Sequence, residues 1–200
     1  MRTFLATLAQ HQTLIEQLKS DAEQITQAGQ VIANCLAQNG KILFCGNGGS
    51  AADCQHIAAE LVVRYEQHRK ALAAIAMTTD TSILTAHSND YDFSSVFSRQ
   101  IEALGQTNDV LCAISTSGHS KNIISAATTA KAQGLTVVAL TGGDGGELKH
   151  HADIAIIVPS SITARIQEAH ILIGHWWCGY IEDLLTERSC FNPHSTSSVE

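Results

Sequence analysis

The sequence predicts an α/β protein built on a doubly wound, five-stranded parallel sheet that is flanked by helices and preceded by an N-terminal helical extension. Five short apolar runs recur along the chain, and segments with helical spacing separate them. The runs are rich in Val, Ile, Leu and Ala and do not alternate with polar residues, which is typical of strands covered on both faces. A regular alternation of such strands with helices predicts a parallel sheet.

The strands and helices follow each other in a simple order. The predicted strands are residues 41–45, 73–77, 109–114, 135–140 and 153–158. The predicted helices after the first strand are residues 50–65, 79–87, 94–104, 120–133 and 162–186. Predicted helices lie between successive strands from the first to the fourth, so these strands can be joined by the helical crossovers that parallel pairing requires.

The first 38 residues are predicted to form one or two helices. An apolar stripe begins at Phe4 and continues at helical spacing from Ile25 to Leu36, while Ser20 and Asp21 can start a second helix. A helix in this position bridges no strand pair, so its stripe can pack on its own sheet or face another subunit, and both remain open. We divide the chain into a helical extension of the same domain (1–38), the sheet domain (39–188) and a loose C-terminal tail (189–200).

Composition and charge argue against several functional classes. The 200 residues are 44% hydrophobic, which is enough for one well-buried core. The formal net charge is −7 and no run of Lys or Arg occurs, which argues against direct binding of nucleic acid through a basic surface. No window holds the roughly 18 apolar residues of a membrane span. Charged residues interrupt the first 20 positions, so we predict no signal peptide and expect a cytoplasmic protein.

The cysteines predict a reduced interior rather than a cross-linked one. The chain has 6 cysteines, scattered without CxxC spacing and mostly inside apolar runs. We therefore expect buried thiols, and neither disulfides nor a cysteine zinc site.

Two Gly/Ser loops are candidate anion-binding sites. Residues 46–50 (GNGGS) follow the first predicted strand, and residues 115–118 (STSG) follow the third. Open α/β sheets bind ligands where such loops enter helix N-termini, whose backbone amides and dipole favour an anion. The second loop adds neutral hydroxyl donors from Ser115, Thr116, Ser117 and Ser120. This set suits a phosphomonoester bound by an acidic chain.

Other interpretations of the loops lead elsewhere. Neither is a GxGxxG or Walker sequence, so binding of a dinucleotide or ATP is disfavoured. The alternative is that both are ordinary turns in which Ser50 and Ser120 cap the following helices. A third glycine-rich turn, residues 141–146 (TGGDGG), is expected to use its glycines for positive-φ turn geometry and not for ligand contact.

Chemistry-bearing side chains lie on two predicted helices. His56 and Glu60 are four residues apart, which places them on one helix face about two turns after the first loop. On the last helix, Gln167, Glu168, His170 and His175 are all candidates. Periodicity does not choose among them, because His175 lies about 80° from Gln167 and about 20° from Glu168 around a helix of 3.6 residues per turn. The alternatives are a surface ion pair on one helix and a core histidine on the other.

Several motifs taken together resemble a known family. They are CGNGGSA at 45–51, QHIAAE at 55–60, ND at 89–90, STSG at 115–118, LTG at 140–142 and ARIQE at 164–168. In combination they are similar to the sugar isomerase (SIS) domain, and specifically to bacterial phosphoheptose isomerases. The similarity runs from the first helix to about Leu185 and implies the flavodoxin-like sheet order of that domain.

The resemblance implies a site, a cofactor and an assembly. Substrate would contact Asn47, Gly48, Gly49, Glu60, Asn89, Asp90, Ser115, Thr116, Ser117, Ser120 and Gln167. Zinc, one ion per subunit and with partial occupancy possible because glutamine is a weak ligand, would be held by His56, Glu60, Gln167 and His175. Glu60 and His175 would transfer protons. The family converts sedoheptulose 7-phosphate into D-glycero-D-manno-heptose 7-phosphate in a homotetramer whose sites lie between subunits.

Alternative functions remain on the same scaffold. Some proteins of similar sequence bind the replication initiator DnaA, but they lack the residues that correspond to Glu60 and His175. Sugar-phosphate-sensing regulators carry an attached DNA-binding module, for which no basic segment precedes this sheet. Another isomerase substrate, such as an arabinose or hexose phosphate, also fits. One departure from the relatives is that residues 69–73 contain no proline, so we expect a more mobile loop before the second strand.

Overall fold

The computed structural model describes residues 3–191, and the side chains of residues 3–186. The chain folds into one five-stranded sheet with the order β2-β1-β3-β4-β5, in which every neighbouring pair is parallel. The strands are β1 (Ile42–Gly46), β2 (Ala74–Ala76), β3 (Val110–Ser115), β4 (Thr136–Gly142) and β5 (Ile154–Val158). All five lie where the apolar runs predicted them, and the predicted fold class is confirmed.

Helices lie between successive strands from β1 to β4, precede β1 and follow β5, whereas the β4–β5 connection holds only a 3₁₀ turn. They are α1 (Phe4–Gln17), α2 (Ala22–Ala37), α3 (Gly49–Val62), α4 (Thr81–Asp90), α5 (Val96–Leu104), α6 (Lys121–Ala132) and α7 (Thr163–Phe191). Short 3₁₀ turns occur at Leu18–Asp21, Phe93–Ser95 and Leu148–His151. The start of α4 is fixed by Asp80, whose Oδ1 accepts the Ile83 N–H at 2.9 Å, as is usual for an N-cap aspartate.

The two faces of the sheet carry separate apolar cores. Ile42 and Phe44 of β1 point into a core shared with α2, α3 and α7, whereas Leu43 and Cys45 point into a core shared with α5 and α6. Alternate residues of a strand face opposite sides, so a strand covered on both sides must be apolar at every position. This explains why the strand runs show no polar alternation.

The sheet order creates a crevice between β1 and β3. The chain leaves β1 toward β2 on one side and later returns to β3 on the other, so the loops after β1 and β3 diverge from neighbouring strands. Gly46 at the end of β1 is paired with Ile114 near the end of β3. Because ligands bind at such a switch point beyond the carboxyl ends of the strands, both Gly/Ser loops lie where a site is expected.

The N-terminal extension is divided between core and surface. In α2, Ala28 and Ile32 are buried in the core of the same chain. Of the two alternatives left open, this helix therefore follows the first and packs on its own sheet. In α1 the apolar residues Phe4 and Leu5 are 79% and 75% exposed, and only Leu14 is buried. The first half of the predicted stripe therefore lacks a partner within the described residues of this chain.

The last helix is longer than its sequence pattern indicates. It continues to Phe191, past residue 189 where the tail was predicted to begin, so the predicted boundary between 188 and 189 lies inside a helix. Residues 192–200 lie outside the described residues. Across the described part of the chain, no helix is long and apolar enough to cross a membrane.

The described cysteine side chains agree with a reduced interior. Cys35, Cys45, Cys54, Cys112 and Cys178 are free and buried. Burial raises the pKa of the Cys35 thiol to about 11 and that of the Cys178 thiol to about 12. These thiols stay protonated near neutral pH and are poor nucleophiles.

Candidate active site

The first Gly/Ser loop turns sharply from β1 into α3. Gly46 lies so close to the next helical turn that a Cβ on it would be 2.8 Å from the Ser50 carbonyl carbon. Gly48 has φ +55° and is the N-cap of α3, and no side chain caps the helix. Ser50 is therefore not the cap that the alternative interpretation required. The first turn of α3 also carries no acidic residue, which leaves its positive dipole end available to an anion.

The second loop is tied internally and against the third glycine turn. Ser115 Oγ donates to Ser120 Oγ at 3.1 Å, and the Leu148 N–H donates to the Gly118 carbonyl at 2.9 Å. Gly118 has φ +66°, and a Cβ there would lie 2.1 Å from the Gly145 carbonyl oxygen. Ser120 is the N-cap of α6, but its side chain makes no capping bond.

The third glycine turn has the geometry that the sequence predicted. Gly143, Gly145 and Gly146 all have positive φ, at 67°, 86° and 54°. The turn packs against the second loop, because a Cβ on Gly146 would lie 2.6 Å from the Ser117 carbonyl oxygen. Its glycines thus support the neighbouring loop by close backbone approach.

An amide pair joins the first loop to α6. Asn47 Nδ2 donates to Asn122 Oδ1, and Asn122 Nδ2 donates to Asn47 Oδ1, both at 2.9 Å. Asn122 is buried. The pair holds the Asn47 side chain beside the start of α6 and fixes the two loops relative to each other.

Two helices bring the candidate acid–base residues together. His56 Nε2 and His175 Nε2 are 2.8 Å apart across the contact of α3 with α7, and Glu60 Oε1 is 3.4 Å from His56 Nε2. The close approach of the helices depends on Gly174, where a Cβ would lie 2.4 Å from Ile57 Cδ1. The structure thus unites three of the four residues that the resemblance assigns to a metal.

The remaining candidates of α7 face different surroundings. The Gln167 amide lies against the first loop, with Nε2 only 2.4 Å from the position of a Cβ on Gly49. Glu168 pairs with Arg165 and accepts or shares a proton with His11 Nδ1 at 2.7 Å. His170 is fully buried and bonds the Thr141 carbonyl at 3.0 Å. Glu168 and His170 are therefore engaged away from the crevice, whereas Gln167 borders it.

Asn89 and Asp90 lie at the exposed C-terminal end of α4. Asn89 Nδ2 donates to Asp90 Oδ1 at 2.9 Å, and in the part of the chain that the structure describes neither side chain bonds either loop. The 3₁₀ turn that follows, Phe93–Ser95, packs against α6. The two residues therefore lie at the end of α4 that leads into a turn packed on α6, with no hydrogen bond to either loop among the described residues.

Two further residues beside the site were missed from the sequence. Asp53 Oδ2 is buried without a hydrogen-bond partner, and burial raises the pKa of Asp53 although His56 and His175 oppose that shift. The signal was available, since Asp53 precedes His56 by three residues and thus shares its helix face. The Tyr65 ring stacks on His175, with centroids 5.8 Å apart and 19° between the planes. No local pattern indicates that contact, because it joins a loop to a distant helix.

The donor atoms are compatible with a zinc ion. Imidazole nitrogen and carboxylate oxygen are ordinary zinc ligands. The two facing Nε2 atoms lie 2.8 Å apart, so one of them donates a hydrogen bond that the other accepts. The 3.4 Å between Glu60 Oε1 and His56 Nε2 is near the ligand–ligand separation of about 3.4 Å in a tetrahedral zinc site. Among the described residues, however, no group of three His, Cys, Asp or Glu side chains is arranged to hold a metal ion.

Comparisons with known proteins place this geometry in a family. The SIS domain family matches residues 8–142. A phosphoheptose isomerase of Paramagnetospirillum magneticum is 52% identical over 182 residues, which cover 90% of this chain and 95% of that protein. The chain belongs to the phosphoheptose isomerase family of SIS-domain proteins. The predicted family membership and the prediction of an isomerase enzyme are therefore confirmed.

Solved phosphoheptose isomerases have the same fold. The structure from Neisseria gonorrhoeae superposes with a TM-score of 0.84 at 46% identity, covering 90% of this chain and 96% of that one. The structure from Francisella tularensis gives a TM-score of 0.83 at 39% identity, covering 91% of this chain and 100% of that one. The similarity extends over nearly the whole length of these phosphoheptose isomerases.

Proposed function

We propose that this protein is an aldose–ketose isomerase that converts sedoheptulose 7-phosphate into D-glycero-D-manno-heptose 7-phosphate, for ADP-heptose and lipopolysaccharide core synthesis. The observation that carries the proposal is the convergence of Glu60 and His175 around His56, beside two loops suited to a phosphate. The names of the relatives, which are phosphoheptose isomerases, support a sugar phosphate as the substrate class.

The phosphate is bound by neutral donors in this proposal. The N-termini of α3 and α6 carry no acidic residue in their first turns and no capping side chain. Gly48 and Gly49 let the phosphate approach the backbone of α3, and the hydroxyls of the second loop, including exposed Ser117, donate to its oxygens. This arrangement explains how a chain of net charge −7 binds a dianion without a lysine in either loop.

The chemistry is a proton transfer between two neighbouring carbons. Glu60 removes the proton from C1 of the ketose, which gives an enediol, and returns a proton to C2. His175 serves the two oxygens: it delivers a proton to O2 as the carbonyl is lost and takes one from O1 as the aldehyde forms. His175 also assists ring opening. The reverse assignment of the two residues conserves the same proton balance, and the geometry accommodates both.

A metal is part of the proposal as an expectation of the family. His56, Glu60, Gln167 and His175 would hold one zinc ion per subunit. When bound, such an ion supplies Lewis-acid polarisation of the sugar carbonyl and hydroxyl. Independently of the ion, Gln167 reaches the backbone of the first loop and can bind a sugar hydroxyl there.

We also propose a homotetramer with sites between subunits. The whole of α4 has no buried residue, although Asn89 and Asp90 at its end are assigned to the substrate. Phe4 and Leu5 of α1 and Trp176 of α7 are exposed apolar side chains. A second chain that covers these surfaces would bury them and complete the site.

The test is an isomerase assay with a matched pair of variants. Purified protein is incubated with a panel of ketose phosphates of five, six and seven carbons, and formation of the aldose phosphate is followed. Glu60→Gln is expected to lower kcat by about 10²- to 10⁴-fold, the usual contribution of a general acid–base group. Glu147→Gln alters another His/Glu pair, with His151 at 3.3 Å, outside the site and should leave kcat unchanged.

The outcomes separate the proposed functions. Near-normal turnover by Glu60→Gln would exclude its assignment as the base. Absence of turnover on every ketose phosphate, together with retention of DnaA in a pull-down, would favour the scaffold role instead. That alternative is disfavoured by the presence of Glu60 and His175 in one place.

A further inference from the structure

The imidazole of His175 is held between two other rings. Tyr65 stacks on its face with centroids 5.8 Å apart, and His56 meets it nearly edge-on at 4.9 Å and 70°. Both separations lie within the range of favourable aromatic pairs. The edge contact directs Nε2 of His175 toward His56, while the stacked contact fixes the plane in which that nitrogen lies. Tyr65 therefore has a direct influence on the direction of the His175 lone pair or proton.

Tyr65 belongs to a loop that is tied to α7 by one buried carboxylate. Glu182 is 1% exposed and lies about two turns beyond His175. Its Oε1 accepts the Tyr65 N–H, and its Oε2 accepts the N–H groups of Glu66 and Gln67, all at 2.9 Å. Burial would raise the pKa of Glu182, but these three donors and the Arg69 charge together lower it. The carboxylate thus stays ionised and holds the loop.

Arg69 extends this network to the end of α3. Its Nε lies 2.9 Å from Glu182 Oε1 as an ion pair, although the N–H is not aligned as a hydrogen bond. Its Nη2 donates to the carbonyl of Glu60 and its Nη1 to that of Leu61, both at 2.8 Å. The same ion pair thus holds the backbone of Glu60. These contacts do not support the expectation of a loosely held segment at 69–73.

We propose that Tyr65 is a positioning residue for His175, and that the Glu182–Arg69 ion pair holds Tyr65 and the Glu60 turn in register. The inference rests on the proposed isomerase function, in which Glu60 and His175 are the proton-transfer groups. Proton transfer requires heavy atoms within about 2.6–3.2 Å. Displacement of a catalytic group by about 1 Å costs up to about 100-fold in rate. A loop that fixes both groups therefore affects kcat more than KM.

The chain contains a matched structure at the opposite edge of the sheet. Asp109 is 2% exposed, pairs with Lys41 Nζ, and accepts the N–H groups of Lys41 at 2.9 Å and Gln106 at 2.8 Å. It precedes β3 and so lies at the amino ends of the strands, away from the crevice. Asp109 and Glu182 are thus both buried carboxylates that accept backbone N–H groups and pair with a basic side chain. Only Glu182 is connected to the proposed acid–base residues.

The first test compares two substitutions of one side chain. Tyr65→Phe preserves the stacked ring and should keep kcat within about 3-fold, whereas Tyr65→Ala should lower kcat by about 10- to 100-fold with KM nearly unchanged. A Tyr65→Ala enzyme with normal kcat would overturn the proposal. An equal loss in Tyr65→Phe would overturn it too, since the hydroxyl and not the stacked ring would then be needed.

The second test separates positioning from stability. Glu182→Gln and Asp109→Asn should both lower the melting temperature, because each removes a buried charge from its partners. At a temperature where circular dichroism shows both variants folded, only Glu182→Gln should lower kcat. Equal losses of kcat in the two variants would reduce Glu182 to a structural role and overturn its part in the proposal.

A spectroscopic readout keeps the inference independent of the assay. The His175 ring lies against the Tyr65 ring, so the NMR resonances of its ring protons should carry a ring-current shift that disappears in Tyr65→Ala and persists in Tyr65→Phe. If wild-type protein has no isomerase activity but shows this shift, the proposed function fails while the contact stands. If the wild type is active and its His175 resonance does not respond to Tyr65→Ala, the positioning role fails alone.

Discussion

Acid should destabilise this protein through one buried histidine. His170 is fully buried on α7, and its Nε2 lies 3.0 Å from the Thr141 carbonyl oxygen. A carbonyl only accepts, so Nε2 carries the proton and Nδ1, which is buried without a partner, is left bare. Burial lowers the pKa of His170 from its usual 6.5 to about 4. Protonation of Nδ1 would place an unpaired charge in the core.

The sign and size of the effect follow from proton linkage. Between pH 6.5 and 4 the unfolded chain binds a proton at this histidine and the folded chain does not, so stability falls as the pH falls. The loss is small above pH 6.5. It reaches about 2 kcal/mol near pH 5 and about 3 kcal/mol below pH 4, because each pKa unit corresponds to about 1.4 kcal/mol.

Urea unfolding at several pH values tests this prediction. His170→Gln keeps an N–H donor for the Thr141 carbonyl but does not titrate. The free energy of unfolding of the wild type, measured relative to that of this variant, should therefore fall by about 2 kcal/mol from pH 8 to pH 5. Other titrating groups are common to both proteins and cancel in the difference. His150→Gln, at an exposed position, should follow the wild type. Parallel plots of the free energy of unfolding against pH for wild type and His170→Gln would refute the reasoning.

Further predictions concern the glycines and the metal. Gly118→Ala should lower the free energy of unfolding by more than about 2 kcal/mol and raise KM, because the new Cβ would meet the Gly145 carbonyl. Gly48→Ala, at φ +55° in open space, should lower the free energy of unfolding by only about 1 kcal/mol, as measured by urea unfolding. Gly174→Ala should cost about 1–3 kcal/mol by pressing on Ile57, and Ile57→Val in that background should recover part of the loss. Chelator treatment should lower both turnover and melting temperature, and added zinc should restore them; unchanged turnover would remove the metal from the mechanism.

The sheet was predictable because its signal is local. Runs such as that of β3 are apolar at every position, and this pattern reports burial on both faces without any knowledge of the partners. The order of the strands needed the resemblance, since apolar runs do not state which neighbours pair. The end of α7 was misplaced because residues 187–191 carry no apolar periodicity that separates a helix from a polar tail.

The site was predictable only in part, because only contacts within one helix leave a local signal in the sequence. His56 and Glu60 are four residues apart, so one helix places them together. The choice of Gln167 and His175 over Glu168 and His170 was not available from periodicity, because it depends on which of them finds other partners in the fold. Tyr65 was missed since its contact with His175 joins residues more than one hundred positions apart.

The incomplete surroundings of Asn89 and Asp90 fit the same logic. Their helix, α4, has no buried residue, yet its N-cap and its 3₁₀ continuation are well formed. Only Leu84 among the α4 side chains packs against the core shared with α5 and α6, so the helix gains little from its own chain, since most helical stability in proteins comes from packing. The exposed Phe4 of α1 has the same shortage of contacts. Both features are explained together if a second copy of the chain covers them, because one assembly step then buries the apolar surface and delivers the substrate residues of α4 to a crevice. In the proposed tetramer, the loops and the α3–α7 pair would be the part of the site that one chain determines, and a second chain would complete the surroundings of Asn89 and Asp90.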